Sequence, residues 1–159
     1  MNMEKTLKGQ VLFSSLSPDE ISSISRISVA KSFAQGDQIY RHEGRVSHLF
    51  LLLDGVVHLR IPAEQGQLTL VLGKVVRGEL FGVAALLGYE RYTATAIAAE
   101  PAEVLAIEIR PLQEMLKANR AAALAFTGQA AQVYYTRYID LMRAFRKLQT
   151  AISGMGLIR

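Results

Sequence analysis

The chain has 159 residues, half of them hydrophobic, which suffices for one globular domain with a sizeable core. It contains no cysteine, which excludes disulfides and thiolate metal sites and points to a cytoplasmic protein. The formal net charge of +4 is a moderate excess that favours anionic partners only weakly, and no apolar segment is long enough to span a bilayer.

Residues 1–26 predict a short helical lead-in. The tetrapeptide Ser17-Pro18-Asp19-Glu20 has the form of a capping box, in which Ser17 caps the helix and Glu20 bonds back to the cap. The helix that follows is expected to present apolar residues to a core, and a few apolar residues before it are expected to pack there as well. These residues are Leu12, Phe13, Leu16, Ile21 and Ile24.

Residues 27–109 predict a β domain made of short strands separated by turns. The strand-like runs are SVAKSF, QIYR, HLFLLL, VVHLRI, QLTLVLGKVV, TATAIA and EVLAIEI. Turns are expected at Gln35-Gly36-Asp37, at Asp54-Gly55 and at Gln65-Gly66, and Asp54-Gly55 is the strongest hairpin signal. Many short strands with regular turns favour a barrel or a jelly-roll-like sandwich.

Residues 110–159 predict helices, one starting at Pro111 and a longer one following Asn119, with Gly154 and Gly156 as stop signals. The second helix carries apolar residues at alternating spacings of four and three, typical of a heptad seam. They form an apolar stripe made of Tyr134, Tyr138, Leu141, Phe145, Leu148 and Ile152. The stripe predicts a dimer interface in preference to packing on the β domain. The basic residues beside it, Arg137, Arg143, Arg146 and Lys147, are interpreted as a solvated face.

The segment GELFGVAALLGYERYTATA, residues 78–96, has the features of an oxyanion site. Gly82 permits close approach of the backbone to a ligand, and the run from Val83 to Leu87 predicts one or two helical turns. Backbone N–H groups at the start of such a helix, around Val83, Ala84 and Ala85, are suited to an anion. Additional donors come from Arg91, Thr93 and Thr95.

In this order, the motifs resemble the cyclic nucleotide-binding domain, and in particular the Crp/Fnr branch of bacterial regulators. The resemblance is carried by LFSSLSPDEISSISRIS, GDQIYRHEG, LFLLLDGVVHLRI, GELFGVAALLG, TATAIA and VLAIEI, and it covers nearly the whole chain. It implies a mainly β fold with flanking helices, namely a double-stranded β-roll followed by a long C-terminal dimerisation helix. Residues 27–109 would be the effector-binding roll and residues 110–159 the C-terminal helices.

Two positions depart from the pattern of that family. Where the family has Phe-Gly-Glu, with the Glu accepting from the ribose hydroxyl, this chain has Val83 after Phe81-Gly82. Where the family has its phosphate-binding Arg, this chain has Tyr92, and Arg91 stands one residue early, on the other face of a strand. Cyclic AMP is therefore expected to bind weakly or not at all.

The resemblance implies a small-molecule effector of unknown identity, bound near Gly82, Val83, Ala84, Arg91, Tyr92 and Thr93. It also implies a homodimer through Tyr134, Tyr138, Leu141, Phe145 and Leu148, with Tyr134, Tyr135 and Thr136 near the pocket. DNA would be contacted only through a C-terminal domain that this chain does not contain. The chain is interpreted as the sensor half of such a regulator, with a stand-alone module acting through protein contacts as the alternative.

Other functional classes have little support in the sequence. No nucleophile–base pairing, metal-ligand spacing or Walker-type loop indicates an enzyme. The histidines His42, His48 and His58 are scattered, and each is interpreted as a surface residue in preference to a haem ligand.

Overall fold

A computed structural model describes residues 3–14, 16–62 and 69–154 of the chain. Eight strands in these residues form two four-stranded antiparallel sheets, with orders β1-β8-β3-β6 and β2-β7-β4-β5. The strands are β1 (Ser28–Phe33), β2 (Gln38–Tyr40), β3 (His48–Asp54), β4 (Val57–Pro62), β5 (Thr69–Val75), β6 (Leu80–Phe81), β7 (Thr95–Ala98) and β8 (Ala102–Glu108). The helices are α1 (Met3–Lys8), α2 (Pro18–Arg26), α3 (Ile109–Ala118) and α4 (Arg120–Gly154). The predicted β-roll with flanking helices and a long C-terminal helix is confirmed.

The two central strands of the first sheet, β3 and β8, are buried on both faces along most of their length. On β3, Leu49, Leu51 and Leu53 belong to a core shared with the helices. Phe50 and Leu52 belong to a second core shared with the other sheet. Because successive side chains in a strand point to opposite faces, a strand between two cores must be apolar at every position. This explains the unbroken apolar run LFLLL, from Leu49 to Leu53.

The interpretation of Asp54-Gly55 as a hairpin turn is wrong. β3 pairs with β6 and β8, whereas β4 pairs with β5 and β7, so this turn carries the chain from one sheet to the other. Gly55 has a φ of 86°, and a Cβ there would collide with the carbonyl oxygen of Pro101. Gly55 does form a turn, but a turn motif specifies the backbone at two residues and not the partners of the strands that it joins. The predicted turn at Gln65-Gly66 lies outside the described residues.

The capping box of α2 is confirmed. The Ser17 Oγ accepts from the Glu20 N–H at 3.3 Å, and a Glu20 carboxylate oxygen accepts from the Ser17 N–H at 2.6 Å. All five apolar residues predicted to pack around this helix are less than a tenth exposed. The lead-in thereby packs against the face of the first sheet that is covered by helices.

The helix α3 begins at Ile109, two residues before Pro111. Asn119 separates it from α4, and its side-chain oxygen accepts from the Ala122 N–H at 3.0 Å, as an N-cap does. The helix α4 has 35 residues and buries Ala122, Phe126, Ala130 and Val133 in its first half. Gly156 lies outside the described residues. No helix in the described part of the chain is both long and apolar enough to cross a bilayer.

Candidate functional site

The segment from Gly78 to Gly88 contains β6, a turn at Gly82 and a short 3-10 helix. The turn at Gly82 borders the space between the sheets and α4. Gly82 ends β6 with a φ of 68°, and a 3-10 helix follows over Val83–Leu87. A φ in this region is costly for residues with a Cβ, which accounts for a glycine here. The Ala85 N–H is bonded to the Gly82 carbonyl at 3.2 Å, so it is not available to a ligand as the sequence suggested.

A cavity of about 270 Å³ lies between this turn, the second sheet and α4, and we call it the α4 cavity. Its lining combines residues from the turn, the sheet and one side of the helix. The lining residues are Tyr40, Leu59, Leu72, Phe81, Gly82, Val83, Ala84, Tyr92, Thr93, Ala94, Tyr134, Arg137, Tyr138 and Leu141. The mostly apolar walls with a few polar groups are typical of a small-molecule site, and the volume suits a small ligand.

The structure brings five of the six predicted ligand-binding residues together in the α4 cavity, namely Gly82, Val83, Ala84, Tyr92 and Thr93. Arg91 is not among the lining residues, and its side chain is 64% exposed.

The guanidinium of Arg91 turns back toward the loop before β3. It donates from Nη1 to the Glu43 carbonyl at 2.7 Å, and its Nε lies 3.9 Å from a Glu43 carboxylate oxygen. The one-residue shift therefore points the Arg91 side chain away from the cavity that Tyr92 lines, in a segment that forms an isolated bridge with Arg45.

Tyr92 occupies the position where the family has its arginine, and it fills that position rather than leaving a vacancy. Its side chain is 3% exposed, and its ring stacks on that of Tyr40 with the centroids 4.0 Å apart. Its hydroxyl accepts from the Ser47 and His48 N–H groups at 3.3 and 3.2 Å, and it donates to the His48 carbonyl at 2.9 Å. The arginine of the family is thus replaced by an aromatic ring whose hydroxyl is already hydrogen-bonded to the backbone.

Tyr40 was not predicted as a site residue from the sequence, although it lines the α4 cavity beside Tyr92. Its ring also stacks on Phe50 and Phe81, with centroid distances of 5.4 and 6.0 Å. Burial raises the pKa of the Tyr40 hydroxyl far above its usual range, Tyr92 raises it further, and Arg137 acts in the opposite direction. The hydroxyl therefore stays neutral.

The interpretation of Arg137 as part of a solvated basic face is wrong, because the structure places this residue in the wall of the α4 cavity. Burial lowers the pKa of Arg137, while Glu79, Tyr40, Asp140 and Tyr134 act in the opposite direction. A guanidinium keeps its charge under such shifts. The cavity therefore has a cation, but it comes from α4 and not from the strand that carries it in the family.

Two signals in the sequence pointed to Arg137. Tyr134, Arg137, Tyr138 and Leu141 have the spacings of one helical face, so a face that contacts the β domain must include the arginine. Gly73 lies within β5, where a glycine marks close approach of another group. A Cβ at Gly73 would lie 2.9 Å from Arg137 Nη1, so the guanidinium rests where that side chain would be.

The apolar stripe of α4 is divided between two environments. Tyr134, Tyr138 and Leu141 line the cavity of their own chain, which corresponds to packing on the β domain, the less favoured of the two predictions for this stripe. Phe145 and Leu148 lie beyond it and are 52% and 56% exposed. Of the three residues expected near the pocket on the helix, only Tyr134 lines it, and Tyr135 is 67% exposed.

The three histidines are each partly buried rather than fully exposed, and none lines the α4 cavity. His42 Nε2 lies 3.7 Å from a Glu43 carboxylate oxygen, and His48 Nδ1 is hydrogen-bonded to the Ser47 hydroxyl at 2.8 Å. Within the described ranges, no three His, Cys, Asp or Glu residues are grouped so that they could hold a metal ion.

Solved structures with this fold include sensor proteins. A protein from Geobacter metallireducens assigned to cyclic nucleotide binding has 30% identity and a TM-score of 0.74, over 87% of this chain and 99% of that one. The sensor domain of the transcriptional regulator DNR from Pseudomonas aeruginosa has 21% identity and a TM-score of 0.71, over 85% and 90%. The regulatory domain of Toxoplasma gondii PKA, solved with cAMP, has 18% identity and a TM-score of 0.67, over 84% and 49%.

The sequence has no match among curated proteins. The family model of the cyclic nucleotide-binding domain matches residues 30–119, which include all eight strands except the first two residues of β1. This match covers more than half of the chain, and it contains the Phe81-Gly82 turn on which the resemblance depends. The chain belongs to the cyclic nucleotide-binding domain family.

Proposed function

We propose that the chain is the ligand-sensing and dimerisation domain of a Crp/Fnr-like transcriptional regulator, with a pocket that has diverged from cyclic nucleotide binding. In this proposal residues 1–26 are a supporting lead-in, residues 27–109 bind the effector and residues 110–159 transmit the signal. The observation that carries the proposal is that one cavity is lined both by Gly82–Ala84 and by one face of α4, made of Tyr134, Arg137, Tyr138 and Leu141. An occupant would contact the β-roll and the helix at once.

A ligand can shift an equilibrium only if it interacts differently with the two states. A molecule held between the Gly82 turn and α4 meets this condition, because a change in the position of the helix alters its contacts with Tyr134, Arg137 and Tyr138. The helix is long enough to carry such a change, since it runs for 35 residues. Rigid shifts of helices at a subunit interface are a common form of this response.

The same helix supports the proposed dimer. Phe145 and Leu148 are exposed by 52% and 56%, and they continue the spacing of Tyr138 and Leu141. Large apolar side chains in register on an exposed helix are the usual seam of a two-helix interface. We propose a second copy of this chain as the partner, which places the two α4 helices side by side.

The proposed divergence rests on Val83 and Tyr92. Val83 is buried in the cavity wall and has no side-chain acceptor for a ribose hydroxyl. The hydroxyl of Tyr92 is already bonded to the backbone at Ser47 and His48. Leaving a polar group of a ligand without its partner costs about 1–3 kcal/mol, and more where a charge is involved. We therefore expect weak or undetectable binding of cyclic AMP, and calorimetry showing sub-micromolar affinity would contradict the divergence.

The sensing role is tested by native mass spectrometry of the chain purified from bacterial cells. We expect a small molecule to remain bound to the wild-type chain and to be lost from Thr93→Trp, because Thr93 is an exposed residue of the cavity lining that tolerates a larger side chain. Thr150→Trp, on the far part of α4, is the control. A molecule retained equally by all three proteins would not lie in the α4 cavity.

The alternative is a stand-alone module that acts through protein contacts and binds nothing in the cavity. Val83, which removes the usual acceptor for the sugar, favours it. The two functions differ in the coding sequence beyond Arg159, where the regulator requires a helix-turn-helix. Reading the gene past this codon distinguishes them.

A further inference from the structure

Arg137 is the one charged side chain among the described residues that line the α4 cavity. The remaining lining is aromatic, aliphatic or small, apart from the hydroxyls of Thr93 and the tyrosines. A guanidinium in apolar surroundings loses part of its hydration, and this loss is recovered only by a partner that accepts its N–H groups. The charge of the cavity therefore selects for an anionic group.

The nearby acids do not fill this role. Glu79 accepts from the Val76 N–H at 3.1 Å, and Asp140 is paired with Arg143 at 3.3 Å. Among the described residues, no hydrogen bond or ion pair ends on Arg137. Its fork of donors is therefore available to a molecule that enters the cavity.

Gly73 fixes where that fork lies. A Cβ at this position would come within 2.9 Å of Arg137 Nη1, so the absence of a side chain on β5 makes room for the guanidinium beside the sheet. Gly73 faces Leu59 across the ladder between β4 and β5, and Leu59 also lines the cavity. The cation is thereby held at the sheet end of the space instead of extending into solvent.

The aromatic walls of the cavity suit a flat ring. Tyr40 and Tyr92 stack on one another at 4.0 Å, and Phe81 lies 6.0 Å from Tyr40. Tyr134 and Tyr138 bring two more rings from the helix. Aromatic groups pack against such surfaces in stacked or edge-on arrangements, which add to the burial of apolar area.

We infer that the α4 cavity binds a small aromatic carboxylate, with its carboxylate on Arg137 and its ring between the tyrosines of the sheet and of α4. The inference rests on the proposed sensing function and specifies its ligand. A carboxylate matches one guanidinium in charge and accepts its two parallel N–H groups. A phosphate monoester carries about −1.5 to −2 charges and would leave part of that charge unpaired. A cyclic phosphate has one charge, but its sugar finds no acceptor at Val83.

The inference is tested with three matched pairs of compounds: benzoate and benzamide, 2-naphthoate and 2-naphthamide, and indole-3-acetate and indole-3-acetamide. Binding is measured by ligand-observed NMR and, where affinity permits, by calorimetry on the full chain. We expect at least one carboxylate to bind about tenfold or more tightly than its amide, the minimum for a charge-assisted pair.

Two variants test whether the preference for the carboxylate depends on Arg137 and Gly73, and a third variant is the control. Arg137→Gln should abolish the preference for the carboxylate. Gly73→Ala should weaken carboxylate binding severalfold without unfolding the chain, because the new Cβ displaces the end of a flexible side chain. Arg143→Gln removes a cation from the same helix but outside the cavity, and it should leave the preference unchanged.

Amides that bind as well as carboxylates, or a preference that survives Arg137→Gln, would overturn the ligand class while leaving a sensing cavity in place. No binding of any carboxylate at millimolar concentration would also overturn it. The sensing function is tested separately by native mass spectrometry. It fails if the wild-type chain retains no cellular molecule that Thr93→Trp displaces.

Discussion

The rings of Tyr40 and Tyr92 stack face to face, with 4.0 Å between centroids and 18° between planes. This pair closes the sheet side of the α4 cavity and stands where members of the family present an arginine. The tyrosine at position 92 therefore removes the positive charge of that arginine and adds a stacked ring. Tyr92 also connects the segment before β7 to the backbone at the start of β3, through three hydrogen bonds of its hydroxyl.

Tyr92→Phe should keep the stacked ring and lose these hydrogen bonds. The N–H groups of Ser47 and His48 and the C=O group of His48 would then lose this partner, so we expect the free energy of unfolding to fall by about 1–3 kcal/mol. Denaturant titration measures this change. Tyr135→Phe is the matched control, because Tyr135 is 67% exposed and its change should lie within about 0.5 kcal/mol of wild type. Equal effects in the two variants would show that the hydroxyl of Tyr92 has no structural role.

Gly82→Ala should be more destabilising than Gly88→Ala, although both glycines have positive φ. The values are 68° and 79°, so each substitution strains the backbone similarly. At Gly82 the new Cβ would also lie 3.1 Å from a ring carbon of Phe50, whereas nothing lies within 4 Å at Gly88. We expect the crowding to add about 1–3 kcal/mol, read from the two thermal or denaturant transitions. The same loss at both positions would assign the whole effect to strain.

Leu148→Lys should shift the proposed dimer toward monomer. Leu148 is 56% exposed and lies outside the α4 cavity, so a charge there acts on the interface without altering the lining. Thr150→Lys adds the same charge two residues on, roughly 200° around the helix, and should leave the dimer intact. Sedimentation equilibrium over a range of concentrations measures both. A wild-type chain that stays monomeric at high concentration would refute the dimer.

The stability of the fold should fall as the pH is lowered through the range of His48. Burial lowers the pKa of His48 below its ordinary value of 6.5, Lys31 lowers it further, and Glu108 acts in the opposite direction. The unfolded chain therefore takes up this proton at a higher pH than the folded chain, and the contribution present above about pH 6.5 is lost as the pH falls. Melting temperatures from about pH 7 to about pH 5 should drop less steeply in His48→Gln than in wild type. Parallel curves would exclude His48 as a source of the dependence.

Much of the fold was predictable because its signals are local or periodic. The capping box at Ser17 and Glu20 needs only four residues, and it is present as expected. The strand-like runs located the β domain, and their order carried the resemblance. The Asp54-Gly55 hairpin failed for the opposite reason. A turn motif describes the backbone at two residues, whereas the partners of β3 are β6 and β8, which are distant in sequence.

The site was predictable in part for the same physical reasons. The residues 82–84, 92 and 93 are close in sequence to the Gly82 turn, so the motif led to them directly. Arg137 lies 55 positions after Gly82, and only the way in which α4 crosses the second sheet brings the two segments together. A charge beside an apolar stripe is more often solvated than buried. The guanidinium of Arg137 has room beside the sheet because Gly73 has no side chain.

Tyr138 and Leu141 face the α4 cavity and yet remain 57% and 43% exposed, in register with the stripe that we propose as the interface. Two binding events that share side chains are thermodynamically linked, and the linkage is reciprocal. If a ligand changes the dissociation constant of the dimer by some factor, dimerisation changes the affinity for the ligand by the same factor. Ligand affinity measured on dilute protein would then differ from the affinity in a cell. The concentration of the protein in the cell would then also affect how much ligand is bound.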